Sequence, residues 1–174
     1  MLILATAVYI IDREKQAVLL AKKTRKIGVG KRFGYGGKVD EIDNGDPIAC
    51  SIREVETETG GTVVLERDQL ELVACIDFYN SEDKTPLIDD PIRVLYYRTF
   101  QSTQTPPSTE EMEDPKWFPL TDLPWATEMK AGDELFIPQV LTGALVKGYV
   151  WFTKDEKKVL GSEIKPCTLE DLVW

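Results

Sequence analysis

Glu54 and Glu58 stand four residues apart in the run Arg53-Glu54-Val55-Glu56-Thr57-Glu58-Thr59-Gly60. On a helix, residues three and four apart share a face. At 100° per residue the two carboxylates diverge by only about 40°. Two negative groups aimed the same way repel each other unless a cation lies between them. Hard oxygen donors of this kind suit Mg²⁺ or Mn²⁺, which in turn grip phosphate oxygens. Thr57 lies on the other flank of Glu54, whereas Glu56 is about 200° away and belongs to another face. Glutamates four apart also make an ordinary solvated helix face, so the surroundings must decide.

Composition narrows the chemistry. Histidine is absent, which removes Ser-His and Cys-His nucleophile pairs and most catalytic zinc sites. Cys50, Cys75 and Cys167 are isolated, without C-x-x-C spacing, and read as reduced packing residues. Carboxylates, lysines, hydroxyls and backbone groups are left to do the work. The net charge of −9 argues against a nucleic-acid polymer as partner, since phosphate backbones demand a basic footprint. A small nucleotide remains compatible, its charge met by a metal and a few local lysines. The apolar opening MLILATAVYI lacks a basic start and ends at Asp12, so it is expected to be a first strand rather than a leader or a membrane span. A cytoplasmic protein with no membrane partner is the expectation.

The elements that must position the carboxylates are well punctuated. Asp46 suits an N-cap and Pro47 the first helical position, where its missing N–H costs nothing. Ile48, Ile52, Val55 and Thr59 recur at helical spacing and predict a buried stripe, and Gly60-Gly61 supplies the stop. A helix over 46–59 follows. Before it, apolar runs at 2–11 and 17–21 predict a hairpin. A basic, glycine-rich stretch then leads into Phe33-Gly34-Tyr35-Gly36-Gly37-Lys38-Val39. After the helix, 62–65, 70–79 and 92–100 have strand character, with loops at 80–91 and 101–108 and a short strand at 115–120. Residues 133–147 read as a second helix with Pro138 near its start, and 148–153 with 159–164 as a closing hairpin. The expectation is one α+β domain over 1–174, a mixed sheet with helices packed on it.

Gly36-Gly37-Lys38-Val39, a turn at Asp43-Asn44-Gly45, and the run from Arg53 to Gly60 together resemble the Nudix box, G-x5-E-x7-R-E-U-x-E-E-x-G-U, where U is a bulky aliphatic residue. The matches are Gly37, Arg53, Glu54, Glu58 and Gly60. The resemblance implies a Nudix-type α/β/α sandwich with a mixed, curved sheet and flanking helices. It also implies hydrolysis of a diphosphate bond in a nucleotide, with Mg²⁺ (or Mn²⁺) held by Glu54, Glu58 and the Gly37 carbonyl. The chain departs from the pattern in three places. The stretch from Gly37 to Arg53 is longer, so the early glutamate falls on Asp43 counted forward and on Gly45 counted back. Thr57 replaces the first glutamate of the E-E pair, and Gly61 replaces the last aliphatic.

Beyond the box, Lys22-Lys23 through Gly28 and Gly30 to Val39, Glu111-Met112 with Trp117-Phe118, and Gly148-Tyr149-Val150-Trp151-Phe152 are similar to the animal 8-oxo-dGTP pyrophosphohydrolase branch of the MutT-like group. That likeness implies cleavage of oxidised purine nucleoside triphosphates to the monophosphate plus pyrophosphate. Glu54, Glu111 and Arg53 are then the catalytic candidates, with Glu54 or Glu111 as the base. Lys23, Phe33, Asp133 and Phe136 are the substrate-binding candidates. Phe33 stands where the branch has a base-reading asparagine, and Gly132-Asp133 where it has an acidic pair. Lys130 and Phe136 stand where it has two pocket tryptophans. The plainer alternatives are a solvated Glu111, a surface Lys23 and a core Phe33. For the whole chain they are an enzyme for another diphosphate-linked nucleotide, or a non-catalytic Nudix-fold binding module.

Overall fold

The computed structural model describes residues 2–26, 28–80 and 91–172. The strands are β1 (Ile3–Asp12), β2 (Ala17–Lys23), β3 (Arg32–Phe33), β4 (Glu71–Asn80), β5 (Ile92–Phe100), β6 (Met112–Pro119), β7 (Val146–Phe152) and β8 (Val159–Pro166); the helices are α1 (Pro47–Glu58) and α2 (Ile137–Thr142). One eight-stranded sheet runs in the order β3-β2-β1-β5-β4-β7-β8, with β6 paired to the other edge of β2. The pairs β1–β5 and β4–β7 are parallel and the rest antiparallel, so the sheet is mixed. Each face buries its own apolar cluster. On one, Val55 of α1 packs with Val8, Ile10, Leu95 and Tyr97; on the other, Ile137, Val140 and Leu141 of α2 pack with Tyr9, Ile76 and Val150. Among the described residues no helix is long and apolar enough to cross a membrane.

One irregularity of the sheet matters most for the site. β1 pairs with β2 only where Ile10, Ile11 and Asp12 face Leu19, Val18 and Ala17. Nearer its start β1 parts from β2, and residues 35–38 fill the freed edge through bridges Val8 to Tyr35 and Ala5 to Lys38. The amide of Thr6 donates to the Gly37 carbonyl at 2.8 Å, and that of Val8 to Tyr35 at 2.6 Å. Gly36, caught between these bonds, has φ +149°, and a Cβ there would collide with the Thr6 carbonyl.

α1 forms where expected. The Asp46 Oδ1 accepts from the amides of Ile48 (2.9 Å) and Ala49 (3.4 Å), and its Oδ2 from Arg67 at 2.6 Å. Its buried face is turned from the expected stripe. Ile48 and Ile52 are half-buried, while Pro47, Cys50, Ser51, Val55 and Glu58 lie deepest. That rotation carries Glu58 inward.

Three segments depart most from expectation. Residues 62–65 form no strand: Val63 and Leu65 are buried and Val64 is exposed, but the segment packs beside α1, its Val63 amide bonded to the Thr59 hydroxyl at 3.1 Å. Alternating apolar residues there report burial, not a ladder. The helix expected over 133–147 is a 3₁₀ turn at Asp133–Leu135 followed by the six residues of α2. Pro138 confines the helix start to its own first turn, and Gly143, at φ 80°, ends it in a left-handed cap. β6 begins earlier than expected, because Pro115 falls where the β2–β6 register shifts and no ladder bond is asked of it. Of the loop expected at 80–91, residues 81–90 lie outside the described residues.

Asp46→Ala is expected to lower stability by about 1 kcal/mol, the usual worth of a side-chain cap, and Asp46→Asn by much less. Urea unfolding of both variants checks this; equal losses would show that the cap bonds are not what Asp46 contributes.

Candidate active site

A cavity of about 470 Å³ straddles β1. On the β5–β4 side its wall is largely apolar, with Ala5, Ala7, Val94, Tyr96 and Phe78. On the side of residues 35–38 it meets Lys23, Gly36, Gly37, Glu54 and Glu111. The first kind of surface suits a flat base and the second a phosphate chain with its cations.

Arg53 organises the second side. Its Nε and Nη2 donate to Asp43 Oδ1 and Oδ2 at 2.7 and 2.8 Å, and its Nη1 to Glu54 Oε1 at 2.7 Å. This fork holds the Asp43 carboxyl below the usual carboxylate range, aided by the Asp40 amide. Of the two residues that could answer the early glutamate, Asp43 is therefore the one paired with Arg53. Glu54 is aimed at the loop, so close that a Cβ on Gly37 would lie 2.7 Å from its Oε1.

Glu58 is 2% exposed. Its Oε2 accepts from the Gly36 amide at 2.8 Å, and its Oε1 is buried with no partner. Burial pushes its pKa up to about 7; Lys23 and the Gly36 amide pull it down, while Glu54 and Glu111 add to the rise. A buried carboxylate oxygen without a donor is what a cation would satisfy. Among the described residues no group of three or more acidic or cysteine side chains is placed to hold an ion. Thr57 is exposed and brings no carboxylate. Two carboxylates plus backbone and substrate oxygens still fit Mg²⁺, which commonly keeps waters and takes one or two carboxylates.

The two glycine carbonyls face different ways. The Gly37 carbonyl is turned to β1 and engaged by Thr6. The Gly36 carbonyl is turned to the Lys23 ammonium, 3.3 Å away. Gly36, not Gly37, presents its oxygen toward the cavity's charged side chains. The sequence offers no sign of this, since adjacent glycines differ only in which way their carbonyls alternate along the β1 edge. Glu111 also lines the cavity, but it is ion-paired with Arg25 and, at 3.3 Å, with Lys26. The Arg25 hydrogen bond, with Lys26 behind it, holds its carboxyl below the usual range.

On the base side, Phe33 lines the cavity with its ring packed over Gly28, where no Cβ would fit. Asp133 is 5% exposed and lines it too. Burial pushes its pKa up to about 7, partly offset by Lys130, whose amide donates to Asp133 Oδ2 at 3.2 Å. Phe136 is not at the cavity. It is 0% exposed, with its ring 5.0 Å from Tyr96 and 6.0 Å from Phe78, and it backs the two rings that do line the wall. The alternation of Val94 and Tyr96 along β5 could have pointed to Tyr96; Phe136 lies one layer too deep.

The NUDIX domain family description matches residues 1–140. The chain belongs to the Nudix family. It is 33% identical over 135 residues to the oxidized purine nucleoside triphosphate hydrolase of Danio rerio, covering 78% of each chain. It is 30% identical over 152 residues to the Mus musculus protein of the same name, covering 87% of this chain and 88% of that one. Its fold is similar to that of a MutT protein from Bacillus halodurans, with a TM-score of 0.73 at 20% identity over 95% of this chain and 99% of that one. Nudix enzymes act on small nucleotide substrates and generally need a divalent metal.

Asp133 carries a pH signature. Its carboxyl ionises near pH 4 in the unfolded chain but at about 7 in the fold. The stability it contributes is therefore complete below about pH 4 and is lost as the pH rises toward 7. Relative to wild type, Asp133→Asn is expected to gain Tm between pH 5 and 7 and then level off. Melting curves across that range check it, and a pH-independent difference would contradict the raised pKa.

Proposed function

We propose that this chain is a metal-dependent nucleoside triphosphate pyrophosphohydrolase that sanitises oxidised purine nucleotides such as 8-oxo-dGTP, with residues 1–174 working as a single Nudix hydrolase domain. The observation that carries this reading is the unpartnered Glu58 oxygen beside the Arg53-aimed Glu54, in the wall of a cavity otherwise shaped for a base. The names of the Danio rerio and Mus musculus relatives support the substrate class.

In this reading Glu54, Glu58 and the Gly36 carbonyl hold the cation, Mg²⁺ or in its place Mn²⁺. When bound, the cation supplies neutralisation of phosphate charge and a lowered pKa for the attacking water. Water adds to a phosphorus, a P–O bond of the diphosphate linkage breaks, and monophosphate and pyrophosphate leave. Glu54 takes the water's proton. It is favoured over Glu111, whose carboxyl the Arg25 and Lys26 pairs hold below its usual range. Arg53 keeps Glu54 in place, and Lys23, at the Gly36 carbonyl, meets a phosphate oxygen. Phe33 offers a stacking face. Asp133, near its midpoint at neutral pH, can donate to or accept from the base edge.

The substrates are small nucleotides rather than nucleic-acid polymers or membranes, in keeping with a net charge of −9. Cys50, Cys75 and Cys167 are free thiols, which suits work in the reducing cytoplasm. The competing reading, a Nudix-fold module that binds without cutting, rests on exposed Thr57 and on the lack, among the described residues, of a three-carboxylate cluster.

Pyrophosphate release from normal and oxidised triphosphates, with Mg²⁺ and with Mn²⁺, separates the two. Turnover is expected, and Glu58→Gln should cut kcat by at least about 100-fold, the upper range for losing even an outer partner of a metal ligand, with its melting curve little changed. Binding without turnover on any substrate would favour the module, and near-normal rates in Glu58→Gln would remove the metal site.

A further inference from the structure

The base side of the cavity contains a cation that the stacking residues do not explain. The Lys130 side chain is 13% exposed. Its ammonium lies 4.4 Å from the centre of the Phe152 ring and 5.7 Å from that of Phe78. It donates to Glu156 Oε2 at 2.9 Å, and among the described residues it has no other hydrogen-bond acceptor. Glu156 comes from the turn between β7 and β8, where it takes φ 58°, and its second oxygen accepts from Asn80 at 2.6 Å. Each oxygen thus accepts one bond, and Glu156 fixes the ammonium against the β7–β8 turn. Lys130, Glu156, Asn80 and Asp133 all line the cavity.

Gly132 explains how the hairpin reaches this place. At φ 91°, a Cβ there would stand 3.1 Å from Val159 and 3.3 Å from Val150. Without one, the 130–133 turn packs flat against β7 and β8. One acid is given up at position 132, and the edge of the cavity presents Asp133 beside the anchored Lys130.

We propose that Lys130, positioned by Glu156, makes the site select 6-oxopurine nucleotides over 6-aminopurine nucleotides. This deepens the proposed function and rests on that reading of the cavity as the base site. An ammonium donates hydrogen bonds and cannot accept them. A 6-oxopurine presents O6 as an acceptor next to an N1–H donor, so Lys130 bonds O6 while Asp133 accepts from N1–H. A 6-aminopurine presents an amino donor at the same place, and two donors then face each other across a buried positive charge. The discrimination holds whichever way Asp133 is protonated, because the ammonium is the group that cannot adapt.

The test compares dITP with dATP, whose bases differ only at the 6-position and its neighbouring N1. Full-chain enzyme with Mg²⁺ is expected to show kcat/KM for dITP above that for dATP by about 100-fold, short of the 10⁴–10⁵ of a fully sequestered hydrogen-bonding site. Lys130→Met should bring the ratio below about tenfold on the same scale, mainly by lowering the dITP value, and Lys130→Arg should retain most of it. Glu156→Gln, which loosens the ammonium without removing it, should give an intermediate ratio, and it decides the matter if Lys130→Met does not fold by its melting curve. Equal use of the two nucleotides by wild type, or a ratio unmoved in both Lys130→Met and Glu156→Gln, overturns the proposal. If no triphosphate is hydrolysed at all, the proposed function fails separately. Selection is then read from thermal shift, where dITP must raise Tm more than dATP and equal shifts overturn it.

Discussion

A carboxylate with one oxygen bonded to the Gly36 amide and the other bonded to nothing is the constraint on which the rest of the site depends. Burying Glu58 in this state is costly, and without compensation the group protonates, which is the meaning of its pKa near 7. The neighbouring features moderate that cost. Lys23 brings positive charge and the Gly36 amide brings a dipole, against the rotated face of α1 that keeps solvent from the carboxylate. Arg53 serves the second acid differently, by clamping Glu54 to the Asp43 turn. One glutamate is left under-satisfied and the other is aimed.

The same cavity solves a second electrostatic problem on the far side of β1. There the wall is apolar, so the few polar groups it contains act at high strength. Asp133 is pushed toward neutrality, and the Lys130 ammonium is paired with Glu156 of the β7–β8 turn. The strand between the two halves presents small residues, Ala5 and Ala7, which leaves room for a planar ligand to lie across it.

What could be read from the sequence was what local chemistry dictates. Asp46, Pro47 and Gly60 bracket α1 because capping needs only neighbouring atoms, and the spacing of Glu54 and Glu58 follows from helical geometry alone. Most strands of the mixed sheet were legible from their local run of apolar and β-branched residues, but the two residues of β3 were not. The misplaced features all depend on distant partners. Val63 and Leu65 alternate like a strand, but among the described residues no strand pairs with them. Phe136 has the composition of a base-stacking residue, yet Tyr96 and Phe78 stand between it and the cavity. Gly36 and Gly37 are indistinguishable until β1 decides which carbonyl it takes. Asp43 became identifiable only once Arg53 was seen to reach it.

The filling of the β1 edge by residues 35–38 also sets the mechanics of the pocket. Backbone bonds at 2.6 to 2.9 Å tie Tyr35, Gly37 and Val39 to Val8, Thr6 and Leu4, so this wall has the stiffness of a sheet although it is built from a loop. A ligand arriving there meets amides and carbonyls already in position and loses little affinity to ordering them. Adaptation has to come from the opposite walls, where side chains and the β7–β8 turn close the space. The pocket is an anvil on one side and a jaw on the other.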